Sequence, residues 1–202
     1  MHAALVVRIS SFRTRRPAFD AALRASVIPD LGVQPGVMHV LAGRQGPDEV
    51  GARLLISVWA SAAAMAAAGA QTGDTPASLP DTTDHQLESF PVMLRVADPE
   101  PLSTGVLRVA RATLEEANSV RDYAAIVDRD LAALRTSGSG PRSVVIATTD
   151  EQAIVMVSTW PDWTAIEAAT GASVSDPLRT KRQAGLVDFR ADHWELLADL
   201  PV

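Results

Sequence analysis

Apolar and polar residues in the first half of the chain alternate between short, strand-like runs and two longer helical patterns. Residues 4–10 form a short β-branched run that predicts a strand. Between Arg15 and Leu31, apolar residues recur at every fourth position, which is typical of a helix with one buried stripe. The sequence then predicts a hairpin of strands at 37–42 and 53–59, an alanine-rich helix at 61–70, a loop at 71–83 and a closing strand at 85–96.

The second half repeats this order. A strand is predicted at 106–110, and Thr113 followed by Glu116 has the spacing of a helix capping box. A helical stripe comes next, formed by Val120, Tyr123, Val127, Leu131 and Leu134. The remaining predictions are a hairpin of strands at 143–148 and 153–160, a short helix at 162–170, a partly helical segment at 171–190 and a closing strand at 192–197.

A short motif supports the view that one unit is written twice. The run LLISVWAS at 54–61 returns as VMVSTWPD at 155–162, so that Trp59 aligns with Trp160 and a serine precedes each tryptophan by two residues. Arg8 aligns with Arg108 at nearly the same offset. We therefore expect a first unit at 1–97, a proline-containing linker at 98–104 and a second unit at 105–202.

The order β-α-β-β-α-β in each half is that of a ferredoxin-like unit, so the predicted class is α+β. Helices on one face of a four-stranded sheet leave the other face apolar, and a second such sheet is its simplest cover. The prediction is therefore two ferredoxin-like units packed sheet to sheet within one chain, as an intrachain dimeric α/β barrel.

Composition narrows the range of partners. The net charge of −6 disfavours nucleic acid, whose binding depends on clustered Lys and Arg. The absence of cysteine removes disulfides, thiolate nucleophiles and sulfur-ligated metals. The beginning of the chain makes a poor signal peptide, and no apolar run reaches the length of about 18 residues that a membrane span requires. A cytoplasmic protein without a membrane partner is expected.

The tandem units, the tryptophan before each capped helix and the Asp-His pairs at 84–85 and 192–193 resemble the dimeric α/β-barrel proteins of the antibiotic-biosynthesis monooxygenase type. The resemblance covers nearly the whole chain. It implies that one chain supplies both halves of a barrel that other members usually build as homodimers.

The same resemblance implies an activity and a place for it. Family members include cofactor-free oxygenases of polycyclic phenols, with pockets between helices and sheet near the strand-end tryptophan. Trp59 and Trp160 are thereby candidate substrate-binding residues, although ordinary core packing explains a buried tryptophan as well. Haem-handling relatives carry a helical histidine about ten residues after the tryptophan. This chain has Gly69 and Thr170 there, so no cofactor is expected.

Arg8 and Arg108 lie in the middle of predicted strands, where a charge is costly unless it is paired. One interpretation is that an arginine holds a phenolate or carboxylate of the substrate. The other is a structural ion pair with the acidic residues of the closing strands, Glu88 and Glu195. Both arginines are therefore candidate substrate-binding residues.

His85 and His193 occupy matching places in the predicted closing strands, each directly after an aspartate. An imidazole could accept a phenolic proton, which makes both histidines candidate catalytic residues. A hydrogen-bonded histidine at an interface is the alternative. The spacing of the four histidines does not resemble a metal ligand set, so no metal is expected.

The sequence thus predicts a cofactor-independent, monooxygenase-like enzyme acting on a small aromatic or phenolic molecule. The alternative is a non-catalytic barrel that binds a hydrophobic ligand or has a structural role. Either half could hold the pocket. Because duplication satisfies the need for pairing, a monomer is plausible, and a homodimer is also compatible with the sequence.

Overall fold

The computed structural model describes residues 4–15, 18–46, 51–72, 81–98, 100–115, 119–136, 140–150, 152–171 and 186–202. Its strands are β1 (Val6–Thr14), β2 (Val37–Gln45), β3 (Gly51–Trp59), β4 (Thr82–Ala97), β5 (Val106–Leu114), β6 (Ser143–Thr148), β7 (Ala153–Trp160) and β8 (Leu186–Pro201). Its helices are α1 (Phe19–Ala22), α2 (Ile28–Gly32), α3 (Ala62–Thr72), α4 (Val120–Thr136) and α5 (Trp163–Thr170), and a π-helical segment, Leu23–Val27, joins α1 to α2.

The α+β class and the ferredoxin-like order of both halves are confirmed. The chain divides into two compact units, one of Met1–Pro91 with Trp194–Val202 and one of Val92–His193. Strands β4 and β8 therefore each contribute one segment to each unit. The predicted boundaries at 97 and 105 describe the repeat in the sequence and stay a prediction, whereas the compact units divide inside these two strands.

The sheet of the first unit has the order β4, β1, β3, β2, β8, with antiparallel pairing throughout. One face carries the helices. Its core joins Phe12, Val40 and Trp59 of the strands to Phe19, Leu23 and Ile28 of the helical segments. The predicted stripe of residues spaced by four is thus the buried face of this helix, although the helix begins at Phe19 and continues to Gly32, past Pro29.

A buried ionic network attaches α1 to the sheet of the first unit. The Asp20 carboxylate accepts a hydrogen bond from Nε of Arg53 at 2.5 Å and another from Nη1 of Arg44 at 3.2 Å. Arg44 in turn donates to both carboxylate oxygens of Glu195, at 2.7 and 2.8 Å. Because Arg53 is fully buried, Asp20 is the group that makes its charge tolerable in the core.

The sheet of the second unit has the order β4, β6, β7, β5, β8, and each pair with a resolved register is antiparallel. The stripe predicted on α4 packs on this sheet, with Val120, Tyr123 and Leu131 buried against Val144, Ile146 and Ile154. The two predicted hairpin strands have the predicted bounds. The predicted helical content of 171–190 is not found at 186–190, which begin β8, and residues 172–185 lie outside the described part of the chain.

The capping box predicted at Thr113 is wrong, because β5 continues through Thr113 to Leu114. Ser119 caps α4 instead. Its hydroxyl accepts a hydrogen bond from the backbone N–H of Asp122 at 3.1 Å and donates to the Asp122 carboxylate at 2.6 Å. The cap therefore lies six residues later than the sequence pattern indicated, and the Asp122 carboxylate accepts from the Ser119 hydroxyl rather than from the backbone N–H as in a capping box.

We expect Ser119→Ala to lower the free energy of unfolding by about 1 kcal/mol, because it leaves an N-terminal N–H group of α4 without its side-chain acceptor. Thr113→Ala, at the position first predicted to cap the helix, should not reproduce the loss of the cap. Urea unfolding of both variants measures the difference. Equal losses would contradict the assignment of the cap to Ser119.

Among the described residues, no helix combines the length and the apolar character needed to cross a bilayer.

Candidate functional site

The two tryptophans of the repeated motif sit in the same local structure. Nε1 of Trp59 donates to Oγ of Ser57 at 2.8 Å, and Nε1 of Trp160 donates to Oγ of Ser158 at 2.8 Å. Both indoles are buried. Each indole N–H is thereby satisfied within its own strand, so the tryptophans present ring surface rather than a hydrogen-bond donor to their surroundings.

A cavity of about 90 Å³ lies beside Trp160 in the second unit, between α4, the end of α5 and the helix-bearing face of the sheet. It separates two apolar clusters, one around Leu131 and Val144 and the other around Trp160 and Ile166. Its walls are mainly apolar, and the polar residues that line it are Arg108 and Ser158 on the strands, Asp130 of α4 and Thr170 of α5. This is the place, between helices and sheet, where the sequence resemblance located a pocket.

The tryptophan of the first unit is instead enclosed by packed side chains. Trp59 belongs to one continuous buried cluster that also contains Phe12, Phe19, Leu23 and Ala68. Trp59 is therefore a core residue. Of the two aligned tryptophans, Trp160 is the one that lines a described cavity.

Arg108 is the polar centre of the second-unit cavity. It lies on β5 opposite Ser158 of β7, and only 4% of its surface is exposed. Its guanidinium lies over the ring of Phe189, 5.5 Å from the ring centroid. Its Nε and Nη2 atoms have no hydrogen-bond partner among the described residues. Burial lowers the pKa of this guanidinium, which reflects the cost of keeping the charge there.

The strand registers correct the predicted match between His85 and His193. In the first unit, Val40 of β2 pairs with Ser57 of β3 on one side and with Leu200 of β8 on the other. In the second unit, Val144 of β6 pairs in the same way with Ser158 of β7 and Val96 of β4. Because Ser57 and Ser158 are equivalent in the repeat, Leu200 corresponds to Val96. Counting back along both 16-residue strands, Phe189 corresponds to His85 and Ser89 to His193. The left-handed backbone of both Asp84 and Asp188 supports this alignment. The Asp-His pairs were aligned four residues out of register.

This correction brings His193 next to Arg108. In the first unit Ser89, the counterpart of His193, is the direct cross-strand partner of Arg8, the counterpart of Arg108. His193 also packs on Trp163 of α5, with ring centroids 4.5 Å apart. Burial, and secondly the nearby charge of Arg108, lower the pKa of His193 to about 4. The imidazole is thus neutral at pH 7 and able to accept a proton.

The lowered pKa of His193 predicts how stability changes with acidity. Between pH 6.5 and about 4 the unfolded state binds a proton at this residue and the folded state does not, so stability should fall as the pH falls through this window. Urea unfolding of the wild type and His193→Gln across this range measures the contribution. The variant should lose less stability on acidification. Parallel pH profiles for the two proteins would contradict the lowered pKa.

Tyr123 is a residue of this region that the sequence did not single out for chemistry, since it appeared only as part of the α4 stripe. It is buried, and burial raises its pKa to about 12, an effect that the charge of Arg108 opposes. Tyr123 lies near Arg108 only because α4 packs on the sheet that contains β5, and a sequence pattern does not show this packing. Composition offered only the hint that this is the single tyrosine of the chain.

The other predicted site residues do not meet in the first unit. His85 is exposed, stacks on Phe12 at 5.9 Å and contacts Thr82 Oγ1 through Nε2 at 2.9 Å. Arg8 is half-buried and lines a separate cavity together with Glu88. Glu195, a predicted partner of an arginine, is bound by Arg44 instead.

No protein-family model matches the sequence, and no curated protein matches it. Solved structures do resemble it over nearly its whole length. A candidate monooxygenase from Fusobacterium nucleatum has a TM-score of 0.74 at 12% identity, covering 100% of this chain and 96% of that one. An anthrone oxidase-like protein has a TM-score of 0.53 at 14% identity, covering 98% and 93%.

A third solved structure is related to the antibiotic-biosynthesis monooxygenases, the family that the sequence resembles. A ferredoxin-fold protein related to antibiotic-biosynthesis monooxygenases, from Listeria monocytogenes, has a TM-score of 0.52 at 12% identity, covering 96% of this chain and 95% of that one. Similarity to structures of such low sequence identity shows the fold and does not show an activity. The chain therefore has the ferredoxin-like α+β fold that the order of its strands and helices predicted, and it shares this fold with these structures.

Proposed function

We propose that the protein is a cofactor-independent, monooxygenase-like enzyme and that it acts on a small phenolic molecule in the second-unit cavity. One observation carries this proposal. Arg108 is almost fully buried on the cavity wall, and two of its nitrogen atoms have no hydrogen-bond partner among the described residues. A phenolate oxygen would supply the missing hydrogen-bond acceptor.

The neighbours of Arg108 suit the same chemistry. Trp160, Met156 and Val144 provide apolar walls for an aromatic ring. The neutral imidazole of His193, held beside Arg108, is the proposed proton acceptor for the phenolic O–H. Arg108 would stabilise the resulting oxyanion, and the raised electron density of the ring is what allows it to reduce O₂.

For a hydroquinone the step balances with O₂ as the four-electron oxidant. One oxygen atom replaces the hydrogen on a ring carbon as a hydroxyl group, while the two original hydroxyl groups become the carbonyls of a hydroxyquinone. The other oxygen atom leaves as water with the two hydrogen atoms that the ring system loses in total. The phenolic proton passes to His193 at the start and returns when the product oxygen is protonated.

The size of the cavity restricts the substrate. At about 90 Å³ it is smaller than an engineered apolar cavity of about 150 Å³ that holds benzene, so even one ring requires α4 side chains to move. Single-ring phenols and hydroquinones are therefore favoured over polycyclic ones. The anthrone oxidase-like neighbour supports aromatic oxidation as a class and not a three-ring substrate here.

Oxygen uptake tests the proposal directly. The purified protein is incubated aerobically with a panel of single-ring hydroquinones and with anthrone, and O₂ consumption is compared with that in buffer. We expect turnover with at least one single-ring compound and loss of that turnover in His193→Gln. The proposal fails if no compound in the panel is oxidised faster than in buffer.

A second candidate, a non-catalytic protein that binds a hydrophobic ligand, is favoured by one feature. His193 is not among the residues that line the described cavity, whose walls are mainly apolar. Binding of phenols without any oxygen uptake would support this candidate. A cytoplasmic location and a monomeric or homodimeric state stay predictions under both.

Haem, which some structures of this fold bind, does not fit the second-unit cavity. The helix position that could present an axial imidazole carries Thr170, and among the described histidines none lines the cavity. We therefore derive no step through haem.

A further inference from the structure

A groove on the first unit lies apart from the site around Arg108. It runs between α3 and β4 and consists of two adjoining cavities of about 370 and 530 Å³, both lined by Met65 and Ser89. We call it the α3–β4 groove. Its floor is formed by Ala4, Val6 and Arg8.

The groove exists because α3 has small side chains where it faces β4. Ala62, Ala66 and Gly69 line it, and a Cβ atom added at Gly69 would meet nothing within 4 Å. On the opposite wall Leu87 is 48% exposed, which is a large apolar surface left uncovered. The volume that larger side chains would fill is therefore open to a ligand.

The two ends of the groove differ in polarity. The 370 Å³ cavity is lined by Arg8, which is half-buried, and by Ser89, its cross-strand partner on the same face of the sheet, whereas Glu88 pairs with Ile9 and lies on the opposite face. The 530 Å³ cavity is mainly apolar, with Val6, Phe90 and Pro91 in its walls. A fitting ligand thus has a polar head at one end and an apolar chain at the other.

The charges at the polar end define the head further. Arg8 favours a carboxylate, and the hydroxyl of Ser89 beside it can accept a hydrogen bond from a donor next to that carboxylate. We propose that the α3–β4 groove binds an amphiphile whose head carries a carboxylate next to an amide N–H or hydroxyl group, with an acyl chain along the apolar part. N-acyl amino acids are the simplest members of this class.

Calorimetric titration with N-decanoylglycine tests the proposal. The Cβ atom of Gly69→Leu meets no atom of the described residues within 4 Å and its side chain occupies the groove, so the variant should weaken binding at least about tenfold without loss of helix content. Arg8→Gln should weaken binding about tenfold through the lost charge-assisted hydrogen bond. Ala70→Leu, at an exposed position on the same helix, is the matched control and should bind like the wild type.

The ligand series separates the head group from the chain. Decanol, which lacks the carboxylate and the amide, should bind less tightly than N-decanoylglycine, and Arg108→Met should leave binding of N-decanoylglycine unchanged. Wild-type affinity in Gly69→Leu, or equal affinity for decanol, would overturn the proposal. So would a wild-type dimer that Gly69→Leu dissociates, because the groove would then be an interface between two copies of the chain.

Discussion

Arg108→Met is expected to stabilise the protein and at the same time to remove its affinity for phenols. The guanidinium is buried without full hydrogen bonding among the described residues, and methionine fills a similar volume without a charge. The free energy of unfolding should rise by about 1–2 kcal/mol, net of the lost contact with the Phe189 ring. For a chain of this length, each kcal/mol corresponds to roughly 2–4 °C in Tm.

The loss of affinity is measured with 4-nitrophenol, whose phenolate is coloured and therefore reports the bound ionic form. The wild type should bind the anion, and Arg108→Met should bind it at least about tenfold more weakly. Arg111→Met, on the same strand and outside the cavity lining, is the control for affinity. If Arg108→Met lost stability and kept its affinity, Arg108 would be a structural cation and the proposed site would be wrong.

Asp20→Ala is expected to have the largest effect on stability, a loss of about 3–5 kcal/mol. The change removes the carboxylate that pairs with the fully buried guanidinium of Arg53, which also donates a hydrogen bond to the Ala52 carbonyl oxygen at 3.0 Å. It also removes the bond from Arg44 to α1. Urea unfolding, followed by circular dichroism, measures the loss.

A double variant distinguishes a lost ion pair from lost packing. Arg53→Met in the Asp20→Ala background removes the stranded charge and should recover about half of the lost stability or more. If the second change adds a further loss of stability, the buried charge is not the cause of the first one.

The sequence predicted helices and strands correctly where a single local repeat of apolar residues determines the structure. The residues spaced by four from Phe19 to Leu31 and the α4 stripe from Val120 to Leu134 are the buried helix faces that were predicted. The repeated strand before Trp59 and Trp160 also has the predicted position, with the same serine–indole hydrogen bond in both units. These features depend on contacts within a few residues, so a short pattern contains them.

The register of the closing strands and the presence of a cavity could not be predicted from such local patterns. The matching of His85 with His193 relied on a dipeptide, whereas the strand pairings align His193 with Ser89. The approach of Tyr123 and Phe189 to Arg108 joins elements far apart in the chain. The difference between a filled core at Trp59 and a cavity at Trp160 depends on summed side-chain volumes, which no periodicity reports.

The division of β8 between the units has a consequence for synthesis on the ribosome. The strand that completes the N-terminal unit, residues 194–202, is translated after all of Val92–His193. That unit therefore keeps an unpaired edge on β2 until residues 194–202 have been translated and have left the ribosome. Nascent chains halted before residue 194 should expose this edge and depend on chaperones, whereas chains halted far enough beyond residue 202 for β8 to leave the ribosome should not.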